Sequence, residues 1–321
     1  MSTQLMVSRP EIVLPALIES AGKPTLVRFA EFFTAHISNS NTRQAYAHAV
    51  KSFLAWCEQH GISEITAIQP LHVAGYHEIL RQNGYSVPTV KQHLAAIREL
   101  FDWLVTGHIL PVNPASSVRG PRYSVSRGAT PVLSADQASE LLQSIDTADL
   151  VGLRDRALLA LMTYTFARVG TAVQMRTADY FSHKGRYWVR LHEKNGKNTE
   201  VPCHHTLKAY LDQYIRGAGL SKDKSGPLFR SAAGRTRRLS THAMNRFDVY
   251  QMIRRRAKAA GIDGSIGCHT FRATGITAYL TNGGKLEIAQ RLAGHANAKT
   301  TGLYDRRSDA VSADEVERIT I

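Results

Sequence analysis

The sequence predicts a mainly α-helical protein of two domains, the second carrying a small antiparallel β-sheet. Three observations lead there. The chain has 321 residues, long enough for two domains of ordinary size, though length alone leaves one or two open. Apolar residues before about position 107 recur at helical spacing, and a stretch rich in proline and glycine follows. In the second half an Asn-Gly pair sits between two strand-like runs, the signal of a tight hairpin.

Taken in order, residues 1–24 show little periodicity and read as a loosely held lead-in. A helical domain is expected over 25–110. In 41–60 the residues Tyr46, Ala49, Val50, Phe53, Leu54 and Cys57 fall on one helical face, with Asn41 and Gln44 placed to cap its start and Gly61 to end it. The stretch 88–106 opens with Pro88 and carries Val90, Leu94, Ile97, Phe101 and Leu104 on one face, and shorter patterns at 25–36 and 69–82 complete a four-helix unit. Its polar faces bear Arg43, Lys51, Lys91 and Arg98. Over 111–131 the periodicity fails, and prolines and glycines mix with Arg119, Arg122 and Arg127, which reads as a basic linker.

The second domain is expected over 132–321. Ser134 and Gln137 make a capping box ahead of Ala138, Leu141, Leu142 and Ile145. An apolar helix from Leu153 to Tyr164 leads into Phe166-Ala167-Arg168. Two strand-like runs, 187–191 and 199–202, flank Lys194-Asn195-Gly196-Lys197. Residues 206–216, 241–260, 270–281 and 285–293 read as helix, followed by a short tail.

Composition narrows the function. Forty Lys and Arg against 26 Asp and Glu give a formal charge of +14, a long-range attraction for a polyanion, of which nucleic acid is the first candidate. No apolar run approaches the roughly 18 residues of a membrane span, and the N-terminus lacks a signal pattern, so a cytoplasmic, nucleoid-associated protein with no membrane partner is expected. Cys57, Cys203 and Cys268 show no paired spacing and read as reduced packing residues. Cys203-His204-His205 lacks a fourth ligand, so no metal site is assigned to it. No Walker-type phosphate loop and no cluster of carboxylates for two-metal chemistry is present, so no cofactor, metal or ATP is expected.

Three clusters near the C-terminus carry the chemistry: His269-Thr270-Phe271-Arg272, Leu292-Ala293-Gly294-His295 and Thr300-Thr301-Gly302-Leu303-Tyr304. They resemble the tyrosine recombinase (phage integrase) family, in which an H-x-x-R motif is followed by a G-H pair and, nine residues after that histidine, by a nucleophilic tyrosine. Here 304 − 295 gives the same spacing. Arg168 after its apolar helix is similar to the family's first catalytic arginine, and Lys194 on its turn to the family's hairpin lysine. The chain departs from the family's frequent G-L-R-x-x-E at this arginine: Phe166-Ala167-Arg168 is followed by Thr171 where the glutamate stands.

The resemblance implies a helical core-binding domain joined to a mixed catalytic domain of the tyrosine recombinase type, and a site made of Arg168, Lys194, His269, Arg272, His295 and Tyr304. The residue types fit that work. Arginine meets the negative oxygens of a phosphodiester with a planar fork of donors. His269 lies three residues before Arg272, on one helical face, where it can take the proton of a tyrosine hydroxyl. By resemblance His295 donates to the phosphate, Lys194 protonates the departing 5′ oxygen, and Tyr304 forms the covalent 3′ ester. The implied function is site-specific cleavage and rejoining of DNA in integration, excision or resolution, by a homotetramer on two paired double-stranded sites, with the tail (313–321, carrying Val316 and Ile319) docking on a neighbouring subunit.

Two other readings remain. A type IB topoisomerase uses the same kind of pocket, but its pattern favours lysine where this chain has His269. A catalytically inactive DNA-binding architectural protein is the other, and the presence of all six residues speaks against it. Candidate phosphate contacts are Arg43, Lys91, Arg98, Arg119, Arg122 and Arg254. Arg254 belongs to a run, Arg254-Arg255-Arg256, that reads first as a solvated helix face.

Overall fold

The computed structural model describes residues 14–125, 128–193, 196–234, 236–262 and 264–305. The chain divides into two compact units, Met1–Ser124 and Val125–Ile321.

The first unit contains α1 (Ala16–Ser20), α2 (Gly22–Glu31), α3 (Ser40–Gln59), α4 (Pro70–Gln82) and α5 (Val87–Thr106), with one wide π-helical turn, Phe32–His36, closing α2. Its core is built from the expected stripes: Val50, Phe53, Leu54, Ile97, Phe101 and Leu104 are all buried. Truncating one such aromatic, as in Phe53→Ala, removes about 3–5 kcal/mol. The expected lead-in is shorter than 1–24, because Leu17 and Ile18 of α1 are buried in this core and tie the segment down. The cap of α3 is Asn39 rather than Asn41; the Asn39 side chain accepts the N–H groups of Asn41 and Thr42. Pro88 sits in the first turn of α5, where its missing N–H costs nothing, and Ser86 caps it.

The second unit runs α6 (Ala135–Gln143), α7 (Leu150–Tyr164), α8 (Val169–Gln174), β1 (Tyr180–His183), β2 (Arg186–His192), β3 (Asn198–Pro202), α9 (His205–Gly217), β4 (Arg230–Ala232), β5 (Leu239–Ala243), α10 (Arg246–Ala259), α11 (Cys268–Thr281), α12 (Leu286–Ala293) and α13 (Ala298–Gly302). The capping box of α6 forms, with Ser134 Oγ accepting from the Gln137 N–H and the Gln137 side chain accepting from the Ser134 N–H. Strands β1, β2 and β3 make one antiparallel sheet in that order, and Val189 pairs with Val201 and Leu191 with Thr199. Val189, Leu191 and Val201 face the core, the period-2 alternation of a half-buried strand.

The expected helix over 241–260 begins only at Arg246: residues 239–243 pair with β4, and Asn245 with Asp248 makes the capping box that starts α10. Strand β1 had no sequence signal, because its turn to β2 is Lys184-Gly185, with φ of 49° and 76°. Both angles suit a two-residue hairpin, but lysine is not a residue that advertises one.

Within α11, Gly275 is a packing requirement: a Cβ there would lie 2.0 Å from the Thr163 carbonyl oxygen of α7. That close approach sets α11, which carries His269 and Arg272, against the end of α7, which leads to Arg168.

Candidate active site

Five of the six expected residues come together in the second unit, and the sixth, Lys194, lies outside the described residues. The C-terminal tail and Arg127 lie outside them as well.

Tyr304 follows α13, and its ring is buried in a small apolar cluster with Phe166, Ala273, Ile276, Leu280, Ala289 and Ala293. Its backbone carbonyl accepts a hydrogen bond from Thr277 Oγ1 at 2.9 Å. Its hydroxyl stands 3.0 Å from His269 Nε2. A neutral imidazole nitrogen there accepts the phenolic proton.

Arg272 is the most enclosed of the set, 1% exposed. Its Nη1 donates to the Phe166 carbonyl, and its Nη2 donates to the Ala293 carbonyl at 2.5 Å and to His295 Nε2 at 2.6 Å. Guanidinium has five N–H groups. The expected two-pronged fork toward phosphate is therefore largely spent on the protein: those three bonds anchor Arg272 from behind, and Nε is buried without a partner among the described residues. Burial first, then the Arg168 charge, lowers the Arg272 pKa to about 10, against the opposing pull of Tyr304 and Glu193. It remains a cation at neutral pH.

The backbone that receives Arg272 is itself unusual. Phe166 has φ +56°, a left-handed conformation that costs a side chain about 1 kcal/mol or more. Its carbonyl is thereby aimed at Arg272. Two residues on, Arg168 is the N-cap residue of α8, and its half-exposed side chain ends 3.7 Å from Glu193 Oε1.

His295 follows Gly294, which closes α12 in the left-handed region at φ +59°. Because arginine only donates, His295 Nε2 must be the acceptor facing Arg272, so Nδ1 carries the proton and donates to Thr301 Oγ1 at 2.9 Å. In this arrangement His295 therefore receives a hydrogen bond from Arg272, whereas the sequence led us to expect a donor to phosphate. Desolvation, then the charges of Arg272, Arg168 and His269, push the His295 pKa down to about 4. His269 is lowered too, by desolvation where its ring meets the pocket and then by Arg272 and Arg168. Both rings are neutral at physiological pH.

Sequence reasoning missed Glu193, Thr277, Thr301 and the Phe166 carbonyl. Only Phe166 left a trace, standing where the family often has glycine, the residue that adopts positive φ freely. Among the candidate phosphate contacts, Arg43 donates to the Ile37 carbonyl at 2.8 and 3.1 Å. Arg98 donates to the Ala115 carbonyl at 3.1 Å and to the Val118 carbonyl. Both guanidinium groups brace the first unit's own backbone. Lys91, Arg119, Arg122 and Arg254 are exposed. The arginine run on α10 is split, for Arg256 turns to the buried Asp155 at 2.8 Å while Arg254 and Arg255 face outward. His204 caps α9 and stacks on Tyr164.

Residues 131–310 match the phage integrase family, and residues 28–108 match the phage integrase N-terminal SAM-like domain. The tyrosine recombinase XerD of Listeria monocytogenes serotype 4b is 27% identical over 271 residues, covering 83% of this chain and 88% of that protein. The tyrosine recombinase XerC of Serratia marcescens is 26% identical over 263 residues, 82% of this chain and 83% of that one. Among solved structures, the XerH site-specific recombinase bound to a palindromic difH substrate, a post-cleavage complex, superposes with a TM-score of 0.70 at 17% identity, over 96% of this chain and 97% of that one. A lambda integrase dimer bound to a COC′ core site gives 0.71 at 17% identity, over 92% and 80%.

Proposed function

The chain belongs to the phage integrase family, and we propose that it is a site-specific tyrosine recombinase in which Tyr304 cuts DNA and holds the broken strand as a covalent ester. One observation carries the assignment of the nucleophile: the Tyr304 hydroxyl stands 3.0 Å from a neutral His269 Nε2, beside Arg272 and Arg168.

The chemistry follows from that geometry. His269 takes the phenolic proton as the Tyr304 oxygen attacks phosphorus. Negative charge then gathers on the non-bridging oxygens, where Arg272, fixed by backbone carbonyls, is already oriented and needs no rearrangement to offset it. Arg168, half-exposed, supplies a second cation. Lys194 gives a proton to the 5′ oxygen as the phosphorus–oxygen bond breaks. The phosphotyrosyl ester keeps the bond energy, and attack by a 5′ hydroxyl reverses the step and rejoins DNA.

The exposed Lys91, Arg119, Arg122 and Arg254 are the proposed phosphate contacts, the helical 25–110 and mixed 132–321 segments joined through 111–131 are the proposed working domains, and the assembly is a tetramer on two paired duplex sites, acting in the cytoplasm on the nucleoid. No helix among the described residues is long and apolar enough to cross a membrane.

A plasmid carrying two copies of the recombination site tests the reading. Wild type resolves it into two circles and Tyr304→Phe leaves it intact; relaxation without resolution would favour a type IB topoisomerase, and binding without either an architectural protein.

A further inference from the structure

The acidic partner of Arg168 is missing from its expected place, because Thr171 stands there. Thr171 is the third residue of α8, whose N-cap is Arg168, and an acid at that position ties back to the N-cap backbone. This chain brings a carboxylate from another element. Glu193, directly after β2, places Oε1 3.7 Å from Arg168 Nη1, and its side chain is only 12% exposed.

Two features hold it. The Glu193 N–H donates to the Lys197 carbonyl at 2.7 Å, closing the base of the β2–β3 hairpin. On the other side lies Gly294, where a Cβ would come within 2.2 Å of Glu193 Oε2. The glycine that ends α12 thus also leaves the space that the carboxylate fills. Glu193 further offsets the burial that lowers Arg272, so its negative charge is felt by both arginines.

We propose that Glu193 is the positioning residue of Arg168, holding from the hairpin a guanidinium that would otherwise range over many rotamers at the rim of the site. It acts through Arg168 and touches no substrate. The same contact ties the strand leading into Lys194 to Arg168, so one carboxylate sets the base of the hairpin and the arginine together.

The inference rests on Arg168 as a phosphate ligand, and the experiment separates the two. Full-length wild type, Glu193→Gln, Arg168→Ala and the double variant are compared in single-turnover cleavage of a nicked duplex carrying the recombination site, with site affinity and melting temperature measured alongside. Glu193→Gln should cleave about 10- to 100-fold more slowly, the usual effect of losing an orienting partner, with affinity and melting temperature near wild type. In the Arg168→Ala background the same change should cost less than about 2-fold, because nothing remains to be positioned. Wild-type cleavage by Glu193→Gln beside an impaired Arg168→Ala, or an equal loss in both backgrounds, overturns the positioning role. Wild-type cleavage by Arg168→Ala would instead remove the assignment of Arg168 and the inference with it.

Discussion

Acidification should expose the neutral state in which the fold holds His295. In an unfolded chain a histidine titrates near 6.5, and in the folded site His295 titrates near 4. Above 6.5 both states are neutral and the ring contributes nothing that depends on pH. As pH falls below 6.5 the unfolded chain binds a proton that the folded site refuses, so the stability present above 6.5 is progressively lost until pH 4. At about 1.36 kcal/mol per pH unit, the 2.5-unit span between the two values corresponds to about 3.4 kcal/mol at most, and to about 2 kcal/mol at pH 5. The ring is only partly buried, and solvent screening cuts the pH 5 figure to about 1 kcal/mol. Urea unfolding of wild type and His295→Gln at pH 7.5 and pH 5 isolates this amount, since every other group titrates in both proteins. Wild type should lose about 1 kcal/mol more than the variant on acidification. Parallel losses would refute the claim that burial, together with the charges of Arg272 and Arg168, keeps His295 neutral.

The strain at Phe166 has its own signature: Phe166→Gly should be more stable than Phe166→Ala by about 1 kcal/mol in urea unfolding, although glycine buries less, because only glycine relieves φ +56°. Both variants should fall below wild type by several kcal/mol, as Phe166 is 4% exposed. Single-turnover cleavage should stay level from pH 8 to about 6.5 and decline only below it, since His269 titrates lower than an ordinary histidine; an acid limb centred above 7 would contradict His269 as the base. Affinity for duplex DNA should fall steeply with salt, and Lys91→Ala or Arg119→Ala should reduce the log–log slope by about 1 each. Arg98→Ala should instead lower stability by about 1–3 kcal/mol and leave the slope unchanged, because its donors hold the Ala115 and Val118 carbonyls.

The parts of this protein legible in its sequence are those written in local pattern. The stripes of α3 and α5, the Ser134–Gln137 capping box and the pairing of β2 with β3 follow from local pattern alone. His269 and Arg272 share a face of α11 because three residues nearly complete a turn. What stayed hidden depends on contacts between distant segments. Glu193 is an ordinary acidic residue just past a strand until Gly294, 101 positions later, makes room for it. Arg43 and Arg98 looked like free charges because no sequence signal announces that a guanidinium will turn back onto a carbonyl. Strand β1 was silent because its turn borrows lysine for a conformation that asparagine usually marks.

The most direct measurement is the trapping of labelled, nicked suicide duplex on protein, resolved on a denaturing gel, with wild type and Tyr304→Phe, each with and without chelator. Phenylalanine keeps the ring in its apolar cluster and removes only the oxygen beside His269. The account predicts a covalent adduct with wild type in both conditions, since Arg168, Arg272 and Lys194 supply the positive charge, and site binding without any adduct for Tyr304→Phe. An adduct formed by Tyr304→Phe, or one from wild type that vanishes with chelator, would contradict it.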